Sequence, residues 1–473
     1  MENLSSSLSY SPINSSYLSA KYPLPNNYKL VSYLGGGGFG DVLKCIKKDT
    51  NETVAVKCSK AQYSTSFNNE LTLMRLLMWK KLDKSNIVRF IDSFTLMDKR
   101  PALVFEMLDV TLKDYFYDQR NFKPLHLHEI RSIMQQLGTA LHALKSIGVI
   151  HSDIKMDNIM LVNCEEQPLR VKLIDFGLAF STYKVKQGAM HQTKHYRSPE
   201  IYLGLPFSEA IDMWSLGIVM ANILVGDTLF PGCSEYNVME CMVDLLGLPP
   251  DHLLNAGRHS EIYFFKTVYG QWRLKTHGEY WGILPYPGDY RAYQFRSLDD
   301  VEKLPLTNLR VADAEEKMQC IALLKAMLQI DASVRITPSQ LLKHPFIRRS
   351  THHHDSFWSC GTGVGSTSSY PRFIKVRPAP PDCRYVADDV LSESEPRSVQ
   401  SPDGFTSDFS PAPFSPEDIN MKQEDSDSTS DEDFSLEMKT RKEKKKKKKN
   451  SFKRFFCWLK NTFSCITANN DEG

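Results

Sequence analysis

The hydrophobic period of this chain changes once, and that change limits the fold more than any other feature. From Tyr28 to about Ala55, apolar and polar residues alternate around Gly and Asn-Glu turns, as in consecutive antiparallel strands. After a helical stretch over Phe67 to Leu77, Ile87 to Phe94 and Ala102 to Leu108 read as further strands. Beyond them the apolar residues fall at helical spacing, over Leu127 to Ile147, Glu209 to Leu224, Asn237 to Leu245 and Glu315 to Leu328. The expected class is α+β, a small β-rich lobe at about 28–105 followed by a large helical lobe at about 109–347.

Both flanks differ in composition from this middle part. Residues 1–27 are rich in Ser, Asn, Tyr and Pro without either period, and read as a disordered leader. After Ile347 the sequence mixes His, Ser, Gly and Pro, and Asp388 to Glu437 carries fifteen acidic residues against Arg397 and Lys422. Such a segment buries too little apolar surface to offset its ordering entropy, so 348–438 is expected to be a disordered acidic linker. Residues 439–473 form a basic-aromatic tail, with Lys444 to Lys449 beside Phe452, Phe455, Phe456 and Trp458. The formal net charge of +2 over 473 residues therefore hides two opposed blocks.

No apolar run approaches the roughly 18 residues of a spanning helix. Met1 to Ser9 has neither the cationic nor the apolar region of a signal peptide, and Glu2 stands where myristoylation needs Gly. Ten cysteines without a CxxC pair fit free thiols in a reducing compartment, cytosol or nucleus. His352-His353-His354 has no second ligand cluster, which favours a solvated linker over a zinc site.

The residues with chemistry come in a fixed order. Gly35 to Val42 fits G-x-G-x-F-G-x-V between two strands, and glycines let backbone amides approach phosphate oxygens with no Cβ in the way. By itself such a hairpin is more often only a turn. Val54-Ala55-Val56-Lys57 ends the next strand with a lysine, and Glu70 lies in the following helix, where it could pair with Lys57. His151-Ser-Asp-Ile-Lys-Met-Asp-Asn158 and Leu173-Ile-Asp-Phe-Gly177 are far more specific. Phosphoryl transfer asks a protein for positioning and charge: a carboxylate near the acceptor hydroxyl, from Asp153, and hard oxygen ligands for Mg²⁺, from Asn158 and Asp175. Lys155 can neutralise charge on the transferring phosphate, and Tyr196-Arg-Ser-Pro-Glu200 completes the series.

These residues resemble a eukaryotic protein kinase over about 28 to 347. Val104-Phe-Glu-Met-Leu108, Gly204-Leu-Pro-Phe207, Glu209-Ala-Ile-Asp-Met-Trp-Ser-Leu-Gly217, Pro231-Gly-Cys-Ser-Glu-Tyr236 and Trp272-Arg-Leu-Lys-Thr276 resemble the homeodomain-interacting protein kinases, relatives of the dual-specificity tyrosine-regulated kinases. The resemblance implies the two-lobed kinase fold and disordered termini. It implies Asp153 as catalytic base with Lys155 and Asn158 beside it, Asn158 and Asp175 as Mg²⁺ ligands, and Lys57 on the ATP phosphates. Gly35, Gly37, Gly40, Val42, Ala55, Glu70 and Met160 would complete the ATP site, with Glu106, Met107 and Leu108 as the adenine-binding hinge behind Phe105. His151, Phe176 and Met74 match an apolar stack linking the lobes, Arg335 matches the partner of Glu200, and Gly232 to Leu309 matches an insert that usually serves for docking.

The implied function is an ATP- and Mg²⁺-dependent serine/threonine kinase, proline-directed, with dual-specificity autophosphorylation in reach. Its implied partners are protein substrates such as transcription factors or corepressors, with no sequence-specific nucleic-acid binding. The alternative is a pseudokinase scaffold or membrane-associated adaptor acting through insert and tail. A degenerate scaffold commonly loses one of Lys57, Glu70, Asp153, Asn158 and Asp175, and all five are present.

Three positions depart from the pattern. Ser152 precedes Asp153 where most kinases have Arg and the close relatives usually Ala; Ser198 replaces the Ala before Pro199; Met190 aligns with the relatives' autophosphorylated tyrosine, whose phosphate is thought to contact the arginine that aligns with Arg197. The activation segment is therefore expected to be ordered by apolar contacts and by Thr193 reaching Asp153 and Lys155. In the flanks, Ser401-Pro, Ser410-Pro and Ser415-Pro resemble proline-directed phosphorylation targets or plain turns, and Met421-Lys-Gln-Glu424 resembles a SUMO acceptor. The lysine run suits an import receptor, which implies the nucleus, or an anionic membrane surface, which the adjoining aromatics favour physically.

Overall fold

A five-stranded antiparallel sheet in the order β1-β2-β3-β5-β4 forms the small lobe. Its strands are β1 (Tyr28–Gly36), β2 (Gly40–Lys47), β3 (Glu52–Ser59), β4 (Phe90–Thr95) and β5 (Pro101–Glu106). The structure is a computed structural model that describes residues 15–38, 40–60, 64–282, 297–303 and 311–349. Strand alternation sorts the side chains. Leu43 and Cys45 on β2, Val54, Val56 and Cys58 on β3, and Ala102 and Val104 on β5 are buried on one face. Val42, Ala55 and Lys57 are half-buried on the other. Ile87, expected in a strand, instead makes an isolated parallel bridge to Leu173, so β4 starts three residues later than its apolar run.

The leader reading needs correction. Residues 15–27 are ordered: α1 (Ser15–Lys21) lies against the outer face of the sheet, with Leu18 and Tyr22 buried in the same cluster as Leu43, Cys45 and Val56. Composition argued for disorder, but two well-placed apolar side chains meet a sheet face that would otherwise be wet, and that burial orders the segment.

Helix α2 (Ser64–Trp79) packs on β4 and β5, and its inner residues Met74 and Leu77 belong to the core of the large lobe. In that lobe α3 (Leu127–Ser146) starts at a capping box in which Glu129 reaches back to the His126 backbone. Next come β6 (Val149–Ile150), β7 (Ile159–Asn163), β8 (Gln167–Leu173) and β9 (Phe180–Ser181), pairing as β7 with β8 and β6 with β9. Helix α4 (Ala210–Val225) is buried from Ile211 to its last residue, as befits a helix apolar all round. A Cβ at Gly217 would lie 2.9 Å from the Leu328 side chain and 3.1 Å from Met327 Cβ, so glycine there lets α4 approach the chain at Met327 and Leu328. Around α4 stand α5 (Glu235–Leu246) and α6 (Val311–Met327). The remainder of the leader, parts of the insert, the His352 cluster, the Ser-Pro sites, the SUMO-like motif and the basic tail lie outside the described residues.

Candidate active site

Three elements converge on Lys57. Strand β3 carries it on the half-buried face, and its Nζ donates to both carboxylate oxygens of Glu70 on α2, at 2.9 and 2.8 Å, and to Asp175 Oδ1 at 2.8 Å. Asp175 has φ 57°, a left-handed backbone that a loop adopts only when its surroundings hold it. The Gly177 amide also donates to Asp175 Oδ1, at 3.2 Å. Burial pushes the Asp175 carboxyl up, but the Lys57 ammonium and these bonds outweigh it and bring it down to about 2. The same partners push the Lys57 ammonium up against the cost of its burial, while burial pushes the Glu70 carboxyl up against the pull of Lys57.

A second cluster surrounds Asp153. Its Oδ1 accepts from Thr193 Oγ1 at 2.7 Å; its Oδ2 accepts from Asn158 Nδ2 at 2.8 Å and pairs with Lys155 Nζ at 2.9 Å. Lys155 Nζ also donates to Thr193 Oγ1 at 3.1 Å, so the expected link from the activation segment to both residues is present. Asn158 spends its amide nitrogen on Asp153 twice, on the carboxylate and on the main-chain oxygen at 2.8 Å, which leaves its carbonyl oxygen as the atom for a cation. Asp175 likewise has only Oδ1 committed to Lys57 and Gly177. Two hard oxygens fit a divalent cation of the Mg²⁺ kind.

The backbone beneath is anchored by Asp212 on α4. Its carboxylate accepts the amides of His151 at 2.7 Å and Ser152 at 2.9 Å, and burial pushes it up to about 7 against the pull of those two donors. His151 accepts from the Asp153 amide at Nδ1, 3.2 Å, so the proton sits on Nε2, which bonds the Ile174 carbonyl at 3.0 Å. Burial lowers its basicity, in keeping with a neutral ring. The ring meets Phe176 edge-on at 4.8 Å, and with Met74 these fully buried groups bridge the lobes.

The remaining candidates fall into place around the cleft. Gly35 lies in β1, the Gly37 amide closes the hairpin onto the Gly40 carbonyl at 2.9 Å, and a Cβ at Gly40 would come within 2.5 Å of the Cys58 carbonyl oxygen. Val42 and Ala55 share the face of Lys57, while Leu108 is buried and Met160 half-buried on β7. Glu106 is differently employed from what a hinge suggests: its Oε1 accepts from the Arg89 amide at 2.6 Å and from Lys172 at 2.5 Å, and its own amide donates to the Arg89 carbonyl at 3.0 Å.

Several contacts of the activation segment escaped sequence reading. Ser152, at φ 61°, donates its hydroxyl to the Leu178 carbonyl at 2.8 Å. Gln192 is buried and bonds Ser198, Ser215 and the Ile211 carbonyl, which gives the Ser198 hydroxyl a partner where an Ala would need none. Arg197 pairs with Glu235 at the start of α5, stacks over Tyr202 at 5.1 Å, and donates to the carbonyls of His191 and Gln192. Tyr263 fixes the other Glu235 oxygen at 2.9 Å. A charge pair across 38 positions leaves no local pattern to read.

A cleft between a sheet and a helical lobe, a lysine held by two carboxylates and a second Asp-Asn-Lys cluster define the protein kinase class. The protein kinase domain family matches residues 28–347, and the chain belongs to that family. Homeodomain-interacting protein kinase 2 of Mus musculus is 42% identical over 337 residues, 68% of this chain and 28% of the relative. Homeodomain-interacting protein kinase 1 of Caenorhabditis elegans is 38% identical over 348 residues, 69% of this chain and 40% of the relative. Homeodomain-interacting protein kinase 4 of Homo sapiens is 34% identical over 385 residues, 76% and 61% of the two chains. The match thus spans between about a quarter and three fifths of these relatives' own lengths.

Proposed function

We propose that this chain is an active ATP- and Mg²⁺-dependent serine/threonine kinase that phosphorylates proteins at Ser or Thr followed by Pro. One observation carries the reading: the Lys57, Glu70 and Asp175 cluster and the Asp153, Asn158, Lys155 and Thr193 cluster are both assembled, so neither requires rearrangement before transfer. Asp153 orients the acceptor hydroxyl and takes its proton as the phosphoryl group moves. Lys155 offsets charge on the transferring group, and Lys57 holds the nucleotide phosphates. Asn158 and Asp175 would hold the divalent cation, which when bound neutralises phosphate oxygens. A scaffold without turnover has no need of this double assembly.

The proline preference has support in the backbone. Gln192 stands at φ 68°, and its carbonyl accepts from Arg197 Nε at 3.3 Å and Nη2 at 3.2 Å. It adjoins Thr193, whose hydroxyl lies on Asp153, and so flanks the place of the residue after the acceptor. With that carbonyl occupied, an amide arriving there would lose its water without gaining a partner; proline has no amide to lose. Phosphorylation of a degenerate peptide library by the purified full chain tests both statements. Selection of Pro after Ser or Thr is expected, and a flat preference at that position would reject it.

The nucleus is the proposed compartment, resting on Lys444 to Lys449 as an import signal, and transcriptional regulators are the proposed substrates. No helix among the described residues is long and apolar enough to cross a membrane. Deleting 439–473 should shift a tagged protein from nucleus to cytoplasm, whereas replacing Phe455, Phe456 and Trp458 by Ser should not. A shift with the aromatic substitutions alone would favour the membrane surface instead.

A further inference from the structure

The ordered part of the leader does more than cover the sheet. At the β4–β5 turn the Arg100 guanidinium donates to the Lys21 carbonyl at 2.6 Å and the Met97 amide to the Pro23 carbonyl at 3.2 Å, and from there the side chains of Lys21 and Tyr22 reach behind the sheet to β2, the second strand of the sheet order. There they meet Asp41, the residue between Gly40 and Val42 in the glycine-rich hairpin. Alternation along β2 places Asp41 with Leu43 and Cys45 on the outer face, while Val42 faces the cleft. The Tyr22 hydroxyl donates to Asp41 Oδ2 at 2.6 Å and Lys21 Nζ lies 3.6 Å from the same oxygen. Tyr33, on the other arm of the hairpin, donates to Asp41 Oδ1 at 3.4 Å.

Gly36 makes room for this arrangement. A Cβ there would come within 2.3 Å of Asp41 Oδ1 and 2.6 Å of the Tyr33 hydroxyl, so the carboxylate lies over a glycine in the facing strand. The ring of Tyr22 is 1% exposed, sits 5.5 Å from the Arg100 guanidinium, and anchors the segment together with Leu18. Burial and the Asp41 carboxylate push the Tyr22 phenol up, so it remains a donor at any ordinary pH. Four consecutive glycines, Gly35 to Gly38, give the hairpin wide conformational freedom that must be lost when a nucleotide is gripped.

We propose that residues 15–24 are a strap that fixes the position of the glycine-rich hairpin from behind, through the Tyr22 hydroxyl and the Asp41 carboxylate, and thereby sets nucleotide affinity. The inference rests on the reading above that the hairpin covers the phosphates of ATP. Tyr22 and Asp41 are positioning residues: the strap restricts the hairpin before the nucleotide arrives, so binding has less freedom left to remove. The substrate cluster at Asp153 lies on other elements and is not addressed.

The test uses the full chain and the variants Tyr22→Phe, Asp41→Ala and both together. Tyr22→Phe keeps the buried ring and removes only the hydroxyl, so the variant folds with the wild-type packing. The readouts are the Kd of a fluorescent ADP analogue with Mg²⁺, the KM for ATP, the KM for peptide, kcat and the melting temperature. Expected is a rise of about three- to tenfold in nucleotide Kd and in KM for ATP, with kcat within about twofold and peptide KM unchanged. The double variant should be no worse than Asp41→Ala, because the two groups act through one bond. Wild-type nucleotide affinity in Tyr22→Phe, additive losses in the double variant, or a fall confined to kcat and melting temperature would each overturn the strap. Failure of the wild-type chain to bind the analogue would overturn the ATP reading, and the strap with it.

Discussion

Replacing Asp153 by Asn lowers phosphoryl transfer about 10²–10⁴-fold while leaving a folded chain that still binds nucleotide. The hydrogen bonds explain why shape survives. Asp153 Oδ2 faces two donors, Asn158 Nδ2 and Lys155 Nζ, and Oδ1 faces the Thr193 hydroxyl, which can accept as well as donate. An amide set with its oxygen toward Asn158 and Lys155 and its nitrogen toward Thr193 therefore meets every neighbour, with the Thr193 bond reversed. It has no lone pair basic enough to take a hydroxyl proton. The comparison is kcat/KM with a Ser-Pro peptide beside nucleotide Kd for both proteins; retention of most of the turnover would show that Asp153 is not the base.

The largest loss of stability is expected from Arg335→Ala. Arg335 is fully buried at its side chain, and its two terminal nitrogens meet Glu200 Oε1 and Oε2 at 2.6 and 2.8 Å, a bidentate pair between the end of the activation segment and the loop after α6. The guanidinium also serves the carbonyls of Ala210 and Gln329, at 2.8 and 3.0 Å. Truncation strands the Glu200 carboxylate in the interior, at a cost of about 3–5 kcal/mol. Glu200→Leu combined with Arg335→Met removes the stranded charge and should recover part of this, though not all, because the bonds from the guanidinium to the carbonyls of Ala210, Gln329 and Ile330 are still lost. Urea denaturation gives the numbers; a cost below about 1 kcal/mol for the single variant would mean that the site admits water.

How much of this was legible depended on where the information lies in the chain. The lobes followed from period, and the Asp153, Asn158, Asp175 and Lys57 sets from the residue types that phosphoryl transfer needs at short spacings. What escaped was stabilised across distance. The seven residues of α1 are too few to show a helical period, and only the sheet face supplied by residues 43 to 104 makes Leu18 and Tyr22 core residues. Glu235 stood only within the Pro231 to Tyr236 stretch, with nothing local to set it beside Arg197, and the hinge reading of Glu106 gave no sign that Lys172 pairs with its carboxylate. Ser152 was read only as a missing arginine, because a hydroxyl bonding a carbonyl 26 positions away leaves no trace in sequence.

Those long-range contacts hold the activation segment. Where an arginine before the base pairs with a phosphate, charge-assisted bonds offset the entropy of ordering the activation segment. Here the segment makes its own contacts, Ser152 on Leu178, Thr193 on Asp153, Gln192 within its polar cluster and Arg197 on the Glu235 carboxylate. Met190, about two-fifths exposed, adds packing only, and Tyr183 and Tyr196 are the tyrosines left in the segment to carry a compensating phosphate. The most direct test is the turnover of full-length protein made in bacteria with a co-expressed phosphatase, against untreated enzyme, with mass spectrometry confirming that the segment is free of phosphate. The account expects the two to agree within about threefold; a loss of tenfold or more, about 1.4 kcal/mol in the barrier, would contradict it.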